Sequence, residues 1–207
     1  MLFKSIVLHK NHIIDINLRL LDGIIKMNKM EIQTENLLIL DQYKRKDLSK
    51  LSDIIRSGND FRIFAGFDFH EAALKMLLDD SRKHIYLIYR KNEKKLIGYI
   101  GLFKNRDGFE PEIYIASEER RKGYGYEVLS FFCDKLLHDQ LVHRKESLSC
   151  SVLYASCLEE NTASNRLLRK CGFKPVKKDH IEICQLFFDP ITDKVFDNRI
   201  NDYYLNQ

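Results

Sequence analysis

The chain has no CxxC pair, no apolar run near the length of a membrane span, no internal repeat and no low-complexity linker. Each absence removes a class of protein. A helix needs about 20 consecutive apolar residues to cross a bilayer, so no spanning segment is expected. The stretch Met1 to Lys10 holds too short an apolar core for a signal peptide. Five cysteines (Cys133, Cys150, Cys157, Cys171 and Cys184) are odd in number and lack paired spacing. Several fall on apolar faces, where a free thiol packs as a small hydrophobe. The seven histidines show no ligand spacing beside them, so no metal is expected. Reduced, buried thiols and a cytoplasmic location follow as expectations. Net charge is only +4, which reads as solvated surface; a nucleic-acid partner would rest on that charge alone and is not expected. A GxxxxGK[ST] run is also missing, which excludes the nucleoside-triphosphate loop.

What is present is an ordinary globular composition, 44% hydrophobic and 31% charged over 207 residues, enough for one domain with a small appendage. Residues 1–30 stand apart. Ile14, Ile16, Leu18 and Leu20 alternate with polar residues, and Asp22-Gly23 supplies a hairpin turn. This extension has an apolar face that covers the main core or meets a second subunit in a homodimer. From Glu31 the pattern alternates between strands and helices. Leu37–Leu40 reads as a strand, and Leu48, Leu51, Ile54 and Ile55 mark one helix face. Asp68 and Glu71 have capping-box spacing ahead of a helix over 72–78. Strands are expected at Ile85–Tyr89, Leu96–Phe103, Glu112–Ile115, around Leu148–Cys157 and at Ile181–Phe188. A helix over Thr162–Lys170 is expected to stop at Gly172. The polar stretch 190–207 reads as a docked or mobile tail. The whole is α/β (α+β), with a mixed, mostly antiparallel central sheet flanked by helices.

The most informative segment runs from Glu112 to Tyr126. An alternating strand enters a basic, glycine-punctuated turn, and a helix with Val128, Leu129, Phe132, Cys133, Leu136 and Leu137 on one face follows at once. Glycines let the backbone turn tightly, successive N–H groups converge, and the helix start adds positive potential. A pyrophosphate is the natural occupant; a plain strand–helix turn with an exposed basic cluster is the alternative. A dinucleotide site would place such a turn after the first strand of a parallel unit, whereas here it comes late, after a meander.

Arg120-x-x-Gly123-x-Gly125 resembles the acyl-CoA loop of the GNAT superfamily of N-acetyltransferases. Downstream, Asn161-Thr162-Ala163-Ser164 with the ending Cys171-Gly172-Phe173 resembles that superfamily's second signature. Glu112-Ile113, Ser164 and the opening Thr34-Glu35-Asn36-Leu37 resemble the branch that holds ribosomal-protein N-terminal acetyltransferases. The likeness covers residues 31–189, an acyl-CoA N-acyltransferase domain.

The resemblance implies acetyl-CoA as acyl donor, a primary-amine acceptor and direct transfer without a covalent enzyme intermediate. It implies that the backbone of Arg121, Lys122, Gly123, Tyr124, Gly125 and Tyr126 cradles the pyrophosphate, with charge added by Arg120, Arg121 or Lys122. Strand residues Ile113, Tyr114 and Ile115, with Asn161, would lie along the pantetheine arm; an N-cap is the other role open to Asn161. Glu112 is the candidate general base, against a solvated strand-end carboxylate. Many relatives carry a tyrosine four residues before the closing glycine as general acid; here that position is Leu168. Ser164 is the substitute, against a capping or packing hydroxyl. Tyr114 and Tyr154 would line the acceptor pocket or pack in the core, and Phe61, Phe64, Phe67 and Phe69 would wall its acceptor side or, the commoner outcome, simply pack. The missing tyrosine keeps a second reading open, a catalytically inactive CoA-binding interaction module.

Overall fold

The computed structural model describes residues 31–40, 43–65, 68–104, 108–138, 141–143, 146–176, 184–188 and 195–206. The hairpin read at 1–30 and Phe67 lie outside them. The strands are β1 (Glu31–Gln33), β2 (Leu37–Leu40), β3 (Lys83–Arg90), β4 (Lys95–Lys104), β5 (Phe109–Ile115), β6 (Leu141–His143), β7 (Glu146–Leu148), β8 (Val152–Leu158), β9 (Lys174–Pro175), β10 (Cys184–Phe188) and β11 (Val195–Asn206). The helices are α1 (Leu48–Gly58), α2 (Phe61–Ala65), α3 (Glu71–Leu78), α4 (Tyr124–Leu137) and α5 (Thr162–Lys170).

The central sheet runs β1-β2-β3-β4-β5-β8-β11-β10, with β9 beside β11, while β6 and β7 pair on their own. Neighbours from β1 to β5 are antiparallel; short turns join β1 to β2, β3 to β4 and β4 to β5, whereas β2 connects to β3 through α1–α3. The expected mixed, mostly antiparallel sheet flanked by helices is the observed architecture. Two apolar clusters cover its two faces. One packs Leu51, Ile55, Phe61, Leu74 and Leu78 of α1–α3 against Leu87, Tyr99 and Tyr114. The other packs Val128, Leu129, Phe132 and Leu136 of α4 and Leu168 of α5 against Ile88, Ile100 and Leu153.

One junction differs from the rest. Strands β5 and β8 are parallel, and only Phe109 and Leu153 are in register. Close approach there depends on Gly108, where a Cβ would stand 2.2 Å from the Val152 carbonyl oxygen. Beyond that pair the two seven-residue strands part without further ladder pairing.

Three local expectations change. Within the stretch read as a tail, Val195–Asn206 is a strand that pairs with β8 along seven residues, Ile200↔Leu158 to Asn206↔Val152. The strand around 148–157 divides into β7 and β8. Helix α3 begins behind His70, with no side-chain cap, so Asp68 does not close a capping box. Helix α5 ends as the sequence implied. Gly172 N–H donates to Arg169 O and Phe173 N–H to Leu168 O, both at 3.0 Å, the paired bonds of a Schellman ending.

Candidate active site

Where β5 and β8 part, a cavity of about 360 Å³ opens. Its size lies within the roughly 300–1,000 Å³ of small-molecule sites. Both layers line it: Ala65 and Leu77 from the α1–α3 side, Leu129, Leu167 and Leu168 from the α4–α5 side. The cavity therefore passes through the sheet. Strand alternation sorts the lining of β5. Ile113 belongs with the α4–α5 cluster, whereas Glu110 and Glu112 share parity with Tyr114 of the α1–α3 cluster.

The glycine turn sits at the end of β5. Gly123 is the N-cap of α4 with φ 88°, in the left-handed region that a glycine occupies without strain. The first bond of the turn into α4 runs from Glu127 N–H to Gly123 O at 3.0 Å. The N–H groups of Tyr124, Gly125 and Tyr126 precede it and have no helical acceptor. Gly125 lies inside the first helical turn, where glycine costs about 1 kcal/mol relative to alanine. A Cβ there would meet only Leu167 Cδ2 at 3.5 Å and Ile115 Cγ1 at 4.0 Å, ordinary contacts. Nothing inside the fold requires that glycine.

The three basic residues of the turn divide. Arg120 turns inward: Nε donates to Ile115 O at 2.8 Å, the guanidinium pairs with Asp60, and it stacks 5.2 Å from the Tyr114 ring centroid. Lys122 Nζ pairs with Glu119 at 2.7 Å. Arg121 is exposed, with φ 62°, and makes no ion pair among the described residues. Glu119 is buried between Lys122, Lys95 and Arg90. Burial alone would raise its carboxyl, but hydrogen bonds from those three cations outweigh it and hold the group at about 2.

Glu112 reaches the cavity from β5 but is not a lone strand-end carboxylate. Lys83 Nζ donates to Oε2 and the Tyr99 hydroxyl to Oε1, each at 2.7 Å. The lysine side chain is 8% exposed and that of Glu112 25%. Burial first, and the neighbouring Glu112 second, push the Tyr99 phenol well above its usual range, so it stays a donor. Asn161 and Ser164 meet at the cavity's other wall. Asn161 Oδ1 accepts from Ser164 N–H at 3.0 Å, and its Nδ2 donates to Ile63 O at 3.2 Å. The residue is thus an N-cap and also ties α5 to α2. Tyr114 is buried, its hydroxyl donating to Asp60 at 3.1 Å, and Leu168 is a core residue. Phe61 and Phe69 stack edge to face, 5.2 Å between centroids, in the α1–α3 layer. Tyr154 stands on β8 opposite Tyr204 of β11 and does not line the cavity.

Sequence reasoning passed over Lys83, Tyr99, Glu110 and Ser156. The signal for Glu110 was its parity with Glu112 in an alternating strand; nothing local marks the other three. Among the described residues no group of three or more His, Cys, Asp or Glu is arranged to hold a metal, and no helix is long and apolar enough to cross a membrane.

A sheet split between two parallel strands, with a glycine turn at the end of one and a cavity through the gap, defines an acyl-CoA-type transferase scaffold. A family model described as "Acetyltransferase (GNAT) domain" matches residues 38–174. The chain belongs to the GNAT acetyltransferase family. A GNAT-family acetyltransferase from Bacillus anthracis superposes with TM-score 0.63 at 18% identity, covering 86% of this chain and 98% of that one. Spermidine N-acetyltransferase from Vibrio cholerae, solved with CoA and spermine, gives 0.61 at 17%, covering 84% and 97%. A ribosomal-protein-S5-alanine acetyltransferase from Vibrio fischeri gives 0.57 at 13%, covering 86% and 96%. No curated protein matches the chain.

Proposed function

We propose that the chain is an N-acetyltransferase that moves the acetyl group of acetyl-CoA directly onto a primary amine, either a protein N-terminus or a small-molecule amine. The observation that carries this reading is the cavity through the sheet, with the glycine turn at the end of one wall and carboxylates on the opposite layer. The N–H groups of Arg121 to Tyr126 hold the pyrophosphate, and the exposed Arg121 adds charge. The backbone of Ile113, Tyr114 and Ile115, with Asn161, flanks the pantetheine arm. Arg120 holds the turn to Asp60 and leaves phosphate binding to its neighbours.

Acceptor and donor enter from opposite layers. The amine must lose a proton before it attacks, and an ammonium is drawn to the negative layer that carries Glu110 and Glu112. One of these two carboxylates takes that proton. Ser164 lies on the donor side of the cavity, where its hydroxyl assists the departing thiolate in place of the tyrosine that Leu168 replaces. A CoA thiol is a tolerable leaving group, so this assistance is modest.

The test is CoA-thiol release across amines, N-terminal peptides and aminoglycosides, beside the melting temperature with saturating acetyl-CoA. A rise in melting temperature is expected from ligand linkage, with thiol release on at least one acceptor. A rise without release from any acceptor supports the inactive CoA-binding module instead. No rise defeats both.

A further inference from the structure

Glu110 and Glu112 stand two residues apart on the acceptor face of β5, and both line the cavity. Their surroundings differ. Glu112 holds an ion pair with Lys83, whose side chain is only 8% exposed, and a hydrogen bond from Tyr99. Both oxygens of Glu112 are thus already engaged by buried donors. Glu110 makes no ion pair among the described residues, and the groups around it come from its own strand and three others. Glu112 lies on its own strand, Lys83 on β3, Asp202 on β11, and Ser156 on β8. The Ser156 hydroxyl donates to Asp202 at 3.0 Å and is also in contact with Glu110. A proton arriving at Glu110 breaks no ion pair and relieves repulsion from two carboxylates.

We propose that Glu110, rather than Glu112, accepts the amine's proton in the transfer, while Glu112 is a positioning residue fixed by Lys83 and Tyr99. This rests on the acetyltransferase reading above. The step balances as follows. The substrate ammonium gives one proton to the Glu110 carboxylate. The freed nitrogen lone pair forms a C–N bond at the thioester carbonyl, and the C–S bond breaks with its electrons on sulfur. The second proton of that nitrogen goes to the thiolate, and Glu110 returns its proton to solvent. Burial raises the Glu110 carboxyl, and the charges of Glu112 and Asp202 add to that against Ser156 and Lys83. This brings the group nearer to the operating pH, where a base works best.

The experiment compares the pH profiles of kcat and kcat/KM for the full-length protein, E110Q and E112Q. E110Q is expected to lose about 10²-fold or more in kcat and the acid limb of the profile, while keeping the acetyl-CoA-induced rise in melting temperature. E112Q is expected to raise the KM for the amine and lower thermal stability, with the acid limb retained. Carboxyl ¹³C NMR titration of the intact protein, assigned with E110Q, should show Glu110 binding its proton above the ordinary carboxylate range. A Glu110 carboxyl that titrates in the ordinary range, or an E110Q variant with undiminished kcat and an intact acid limb, overturns the proposal alone. Absence of thiol release from every amine by the unaltered protein overturns the acetyltransferase reading, and the role of Glu110 with it.

Discussion

Arg120 and Asp60 form an ion pair that joins the start of the glycine turn to the connection between α1 and α2. The same carboxylate accepts a hydrogen bond from Tyr114, and Arg120 also donates to Ile115 O at 2.8 Å. Arg120, a residue of the glycine-turn motif, is thus engaged within the fold. Hydrogen bonds to charged groups contribute about 1.5–3 kcal/mol each. Arg120→Met is expected to destabilise the fold by about that amount, read as a lower denaturation midpoint with unchanged slope. Asp60→Asn should show a loss of similar kind, and the double variant should lose less than the sum.

Gly123 and Gly125 are expected to separate under substitution. Gly123→Ala forces a side chain into a left-handed φ and should cost about 1–2 kcal/mol of stability. Gly125→Ala meets only ordinary contacts. It should leave stability unchanged or raise it by up to about 1 kcal/mol, yet weaken acetyl-CoA binding. Thermal melts of the free protein with titration calorimetry of the cofactor distinguish the two. A Gly125→Ala protein that binds as tightly as the original would remove the pyrophosphate from this turn.

Acid should loosen the turn through Glu119. Its carboxyl is held at about 2 by Lys122, Lys95 and Arg90 against the cost of burial, below its ordinary value of 4.5. A depressed carboxylate contributes stability in full above its unfolded value and loses it as pH falls through the folded one. Glu119→Gln should therefore lower the melting temperature at pH 7, and the gap to the unaltered protein should narrow between about pH 5 and pH 2. A gap that is constant over that range would show that packing, not charge, is what Glu119 supplies.

Asn161 carries two contacts that chemistry can separate. Asn161→Ala removes the cap on Ser164 N–H and the donor to Ile63 O, and should cost about 1 kcal/mol or more. Asn161→Asp keeps the cap acceptor and loses only the donor. It should recover most of the stability of α5, while the tie to α2 is lost. Amide hydrogen exchange should then show slow exchange at Ser164 in Asn161→Asp but not in Asn161→Ala.

Much of the scaffold was legible because the relevant forces are local. The apolar stripe of α4, the N-cap and Schellman ending of α5, and the alternating strands β3 to β5 all follow from periodicity and turn chemistry within a few residues. The strand Val195–Asn206 was not legible. It is rich in Asn and Asp, residues depleted in strands, and it forms because β8 and β10 offer ladders on both its sides. His70 displaced Asp68 at the start of α3 for a related reason: spacing permits a capping box, but packing of the helix decides where it begins.

The sequence by itself pointed to the family and determined helices α4 and α5 and the place of the glycine turn, since these depend on glycine conformations, caps and side-chain period. Tertiary structure alone decided the chemistry at the cavity. It turned Arg120 toward Asp60 and seated Lys83 and Tyr99 on Glu112. It left Glu110 beside Asp202, a residue 92 positions further along the chain. The physical reason is that charge state depends on what burial brings within a few ångströms, and strands far apart in sequence supply those neighbours.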